Sequence, residues 1–123
     1  MATRAFVRVD GFGNLVAHSP EVEGMTQCLD SNTGQKRPFG AYCFKLSFTP
    51  VSVIATPIAH PDDSPFEPVL YAAGPNIVGP FTKDKNGAEV ECSPGFQNAA
   101  VYGRRQAGDG IGVPRGGFFA VFD

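Results

Sequence analysis

Between Gly40 and Pro57 the chain alternates bulky and small side chains with a period of two. Tyr42, Phe44, Leu46 and Phe48 interleave with Ala41, Cys43, Lys45 and Ser47. In an extended chain residues i and i+2 share a face, so four large side chains line one side of a strand. Beyond Thr49-Pro50, the residues Val51, Val53 and Ala55 continue a β-rich run as far as Pro57. Proline has no N–H to give a ladder and marks the end of that strand. A chain built around this segment packs sheets, not helices.

The remaining sequence agrees. Fifteen glycines and eleven prolines among 123 residues interrupt nearly every window in which a long helix would form. A 42% share of hydrophobic residues and eleven phenylalanines set it apart from disordered chains, which lack aromatic and β-branched residues. Turn residues between short apolar runs predict many short strands. The length suits one domain, 1–123, with a core that needs neither metal nor disulfide staple. A net charge of −2 offers no basic footprint for nucleic acid, and no run of eighteen apolar residues would span a membrane. Neither is expected as a partner.

At the N-terminus Ala5, Val7 and Val9 alternate with Arg4, Phe6 and Arg8. That is a strand pattern, not the continuous apolar stretch of a signal peptide, so the expectation is either synthesis and folding in a cytoplasm or a mature fragment with an added Met. Strands are predicted at about 3–10 and 15–18, joined by the Gly11-Phe12-Gly13-Asn14 turn, then at 22–29, 40–48, 51–56 and 69–73. A strand end at 81–83 precedes Asn86-Gly87, whose sequence predicts a type I′ hairpin turn into 88–92. The last two strands fall at 99–105 and 117–123, and a proline-rich loop covers 57–68. Eight to ten short antiparallel strands with little or no helix indicate a single-domain β-sandwich, with a jelly-roll arrangement as one form of it. Phe44, Leu46, Val53, Val90, Val101 and Phe119 are its expected core.

Candidate chemistry is sparse. Three cysteines leave at least one thiol unpaired. The plain reading is three buried thiols acting as small hydrophobes; the other is a Cys43–Cys92 bridge formed across a sheet in an oxidising compartment. No two cysteines stand two to four residues apart, which argues against a metal site. His60-Pro61-Asp62-Asp63 gathers one imidazole and two carboxylates, yet aspartates beside proline are more often turn formers. His18 reads as an ordinary surface residue. Gly108-Asp109-Gly110-Ile111-Gly112 lacks the following helix that would hold a phosphate, so it reads as an inter-strand loop. Arg104-Arg105 ends a strand, either solvated or facing a partner carboxylate. No Gly-x-Ser-x-Gly elbow is present. The expectation is a protein that is not an enzyme and uses no cofactor.

Several segments together resemble a family of small all-β domains from actinobacterial proteins and their phages. They are Val7-Arg8-Val9 with Gly13-Asn14-Leu15, Gly40-x-Tyr42-Cys43-Phe44, Phe48-Thr49-Pro50 with Val53-Ile54-Ala55, Cys92-Ser93-Pro94-Gly95, and Phe118-Phe119-Ala120-Val121-Phe122. The resemblance covers about a third of the chain and carries no catalytic residues. It implies that Cys43 and Cys92 form a disulfide in secreted members.

Two functions are consistent with these readings. The first is a virion structural protein of a bacteriophage, a capsid decoration, head fibre or tail component made in the host cytoplasm. It would assemble with itself, as a trimer for instance, and with other virion proteins. Phe12, Pro61, Phe66, Phe81, Arg104 and Arg105 are the expected contact residues. The second is a secreted or surface-displayed binding module, for carbohydrate for example, with Tyr42, Tyr71 and Tyr102 as stacking residues.

Overall fold

Three antiparallel sheets make up the computed structural model, which describes residues 4–36, 40–60, 69–84, 86–104, 111, 112, 114 and 116–123. Eleven strands run in chain order: β1 Ala5–Val9, β2 Leu15–His18, β3 Val22–Gln27, β4 Leu29–Asp30, β5 Ala41–Leu46, β6 Val53–Pro57, β7 Val69–Ala73, β8 Thr82–Lys83, β9 Glu89–Glu91, β10 Ala99–Arg104 and β11 Phe118–Phe122. The first sheet has the order β2-β1-β11-β6, the second β3-β5-β10-β7 and the third β4-β9-β8. No helix occurs among the described residues. The fold is the expected all-β sandwich. The one strand beyond the predicted eight to ten is β4, two residues long and too short to leave a periodic signal.

The first two sheets face each other across the main core. Ala5, Val7 and Val9 from β1 and Phe118, Ala120 and Phe122 from β11 meet Tyr42, Phe44 and Leu46 from β5 and Ala99 and Val101 from β10. The Phe44 and Phe122 rings lie 5.3 Å apart between centroids, and Tyr42 and Phe118 lie 6.0 Å apart. Each such buried side chain contributes about 1.5–3 kcal/mol relative to exposure. Val53 packs against this core only half-buried.

Phe119 is a correction. It is 41% exposed, because it pairs with Arg8 on the solvent side of the first sheet. The closing run has aromatics at both parities, and Phe118 with Phe122 takes the inward one. That choice is a matter of register, and a slip of one residue would exchange the two faces.

The second sheet is covered on both sides. Ala41 and Cys43 of β5 and Ala100 of β10 point away from the main core into a second buried cluster, with Cys28, Ile77, Val90 and Cys92. Phe81, Phe96, Tyr102 and Ala73 pack around it. Large residues therefore fill one face of β5, while small ones on the other let the third sheet sit close.

Two local features differ from expectation. The strand predicted at 22–29 divides after Gln27: β3 stays in the second sheet, while the chain crosses through Cys28 into β4, which pairs with β9. The β8–β9 turn is not type I′. Gly87 has φ 81°, but Asn76 is the only described non-glycine residue with positive φ. Instead Asp84 holds the turn: its Oδ1 accepts from Asn86 N and Ala88 N, each at 2.9 Å, and Gly87 N donates to its carbonyl. The β1–β2 hairpin uses the same device. Asp10 Oδ1 accepts from Phe12 N and Asn14 N at 2.9 Å, and Asn14 Nδ2 donates to Asp10 Oδ2 at 3.0 Å.

Candidate functional site

Three places concentrate side chains that the fold does not need for its main core. The first is the solvent face of the β2-β1-β11-β6 sheet. Because β1, β11 and β6 pair in register, Phe6, Val121 and Ile54 form one row, and Arg8, Phe119 and Thr56 form the next. Phe6 and Phe119 stack at 6.0 Å between centroids. Ile54 is 62% exposed, and Phe6 and Val121 are half-buried. An outward strand face in water is normally polar, so this continuous apolar stretch bordered by Arg8 is the most unusual surface among the described residues. Of this face the sequence reading singles out Phe119, and places it in the core; the signal for the whole face is the presence of apolar residues at both parities of β6 and β11.

The second place is a shallow recess of about 220 Å³ lined by Pro80, Phe81, Thr82, Lys83 and Glu89. Phe81 packs on Tyr102 with 5.6 Å between centroids, and Tyr102 stacks on its ladder partner Tyr71 at 5.4 Å. Tyr71 is about half exposed. Arg104 bonds two of the lining residues. Its Nη2 donates to Thr82 Oγ1 at 3.0 Å and to the Lys83 carbonyl. Of the expected contact residues, Phe81 and Arg104 are thus brought together, but Arg104 is engaged within the chain at the end of β10. Phe12, at the tip of the first hairpin, is 80% exposed and stands apart on the β1–β2 turn. Pro61, Phe66 and Arg105 lie outside the described residues.

The third place is the cysteine cluster. Cys28, Cys43 and Cys92 are all buried in the layer between the second and third sheets, with their sulfur atoms within 4.8 Å of one another. Cys43 Sγ is in bonding contact with the sulfur of Cys28 and with that of Cys92, and both pairs have Cα atoms 5.7 Å apart. That spacing suits a disulfide. The expected Cys43–Cys92 pair is therefore geometrically sound, and Cys28, which sequence spacing left aside, has an equal claim on Cys43.

The remaining candidates do not converge. His18 is exposed, and its Nδ1 sits 2.9 Å from the Ser19 carbonyl oxygen. His60 is half-buried, while Asp62, Asp63 and most of the Gly-rich loop lie outside the described residues. Tyr42, considered as a stacking residue for sugar, is a correction: it is fully buried in the main core. Burial pushes its phenol above the ordinary value of 10.0, and the Asp10 carboxylate adds to the effect. No protein-family model matches the chain, and neither does any curated protein or solved structure.

Proposed function

We propose that this chain is a non-enzymatic structural protein of a bacteriophage virion, a capsid decoration, head fibre or tail component, that works by assembly with itself and with other virion proteins. The observation that carries the reading is the apolar solvent face formed by Phe6, Ile54, Phe119 and Val121. Covering such a face by association removes apolar area from water, and a symmetric copy presents the same surface. The sequence resemblance to phage and actinobacterial domains points the same way. Sedimentation velocity of the purified chain tests it: an oligomer is expected for the parent. Ile54→Lys combined with Phe119→Lys should yield a folded monomer. A parent that stays monomeric at high concentration and binds no capsid or tail particle would sink the proposal.

A second reading, a secreted or surface-displayed carbohydrate-binding module, draws on one specific feature. Exposed Tyr71 stacks on Tyr102, which packs on Phe81 in the recess that Lys83 and Glu89 also line, and an aromatic platform with polar groups suits sugar rings. Glycan-array binding that disappears in Tyr71→Ala, with the oligomeric state unchanged, would favour it over assembly.

A further inference from the structure

We infer that the three cysteines form a disulfide-exchange set in which Cys43 is the permanent partner and Cys28 and Cys92 compete for it. The argument begins with valence. Cys43 Sγ contacts both other sulfurs, but one sulfur carries one disulfide, so the two pairings exclude each other and leave a thiol beside the bond. Equal Cα separations of 5.7 Å give neither pairing a backbone advantage. The first bond arises when two of the thiols reduce a small-molecule disulfide, releasing two small thiols. The exchange needs no further oxidant. Cys28 thiolate attacks Cys43 Sγ, the Cys28–Cys43 bond forms and the Cys43–Cys92 bond breaks. Its electron pair goes to Cys92 Sγ, which takes up the proton that Cys28 gave up.

A soft metal ion is the competing occupant of three thiols, and the surroundings argue against it. The cluster shares its walls with Ile77, Val90 and Ala100. Three thiolates around a divalent ion would place net negative charge among those apolar side chains, and closed zinc sites take four ligands.

The two bonds are not equivalent in what they fasten. Cys28 N already donates to the Ala41 carbonyl, at the edge of the β3–β5 ladder, so Cys28–Cys43 stitches neighbouring strands of one sheet. Cys43–Cys92 instead ties the end of β9 to β5, across two sheets. Exchange thus decides whether the β8–β9 hairpin is covalently anchored.

The test uses the full chain oxidised with glutathione disulfide, quenched in acid, alkylated and mapped by mass spectrometry without reduction. One disulfide and one thiol per chain are expected. Cys43 should always be bonded, and both isomers should be present within about tenfold of each other. Isomers separated in acid and returned to pH 8 should each regenerate the same mixture, faster at higher pH as the thiolate fraction rises. Cys28→Ser should give only Cys43–Cys92. Cys92→Ser should give only Cys28–Cys43 and should speed exchange of the Phe81 amide, which donates to the Val90 carbonyl. A single static isomer, a Cys28–Cys92 bond, or stoichiometric zinc or copper that shields all three thiols of the reduced chain from alkylation would overturn the inference.

Discussion

Gly13 and Tyr42 occupy adjoining space: a β-carbon on Gly13 would fall 2.5 Å from Tyr42 Oη. Gly13 also has φ 84°, a conformation that L side chains rarely adopt. Gly13→Ala should therefore destabilise the fold by about 1–3 kcal/mol, from strain and collision together. Removing the oxygen with Tyr42→Phe should relieve part of that cost, so the double variant is expected to be less than additive in urea denaturation.

Tyr42→Phe by itself should be neutral or stabilising by about 1 kcal/mol, because the buried hydroxyl has no hydrogen-bond partner among the described residues. It should also change the alkaline limb. The folded phenol titrates above 10.0, so its stabilisation is present below the unfolded value and is lost as pH rises past it. Stability measured between pH 8 and 11 should fall less steeply in the Phe variant than in the parent.

Asp10 gives the opposite sign. The Asn14 backbone N–H and then its side-chain amide hold the carboxyl below the ordinary value of 3.8. Its contribution is therefore full above that value and disappears as pH falls through the lowered one. Asp10→Asn should flatten the dependence of the urea midpoint on pH below about 4. An unchanged acid limb would show that the turn is held by its backbone bonds alone.

Two substitutions test the layers of the second sheet. Phe44→Ala empties space in the main core and should cost about 3–5 kcal/mol. Ala100→Leu, on the opposite face of the same sheet, should cost about 1–3 kcal/mol by overpacking against the third sheet. If that face were open to water, the larger side chain would be tolerated with no measurable change.

Phe12→Ser should leave stability within about 0.5 kcal/mol of the parent, since the ring is exposed at a hairpin tip. Any loss of particle binding in this variant then reports a contact, not a folding defect.

These residues also show what was legible beforehand. Alternation identifies Phe44 and Leu46 of β5 as core and separates Ala5, Val7 and Val9 of β1 from Arg4, Phe6 and Arg8, because one parity is plainly larger or more apolar than the other. It failed at β11, where Phe118 and Phe119 are equally apolar and only the partner strand decides which turns inward. Alternation puts Ala41 and Cys43 on the lesser face, since nothing local says that a two-residue strand such as β4 will lie above them. The expected contact residue Phe81 was identified by type, but its place beside Tyr102 depends on a third sheet assembled from residues far apart in the chain. The companionship of Cys28 with Cys43 had the same origin.

The pairing of β1 with β11 has a consequence for how the protein is made. Val9 and Phe118 are ladder partners although 109 positions separate them. A ribosome delivers β1 first, and its hydrogen-bonding edge and the inward side chains Ala5, Val7 and Val9 must wait for a strand synthesised last. Until then only the local β1–β2 hairpin is available, and a two-stranded hairpin is marginal alone. This sheet can therefore close only once β11 has been made, slowly for so many long-range pairings, with the nascent edge open to mispairing in crowded expression.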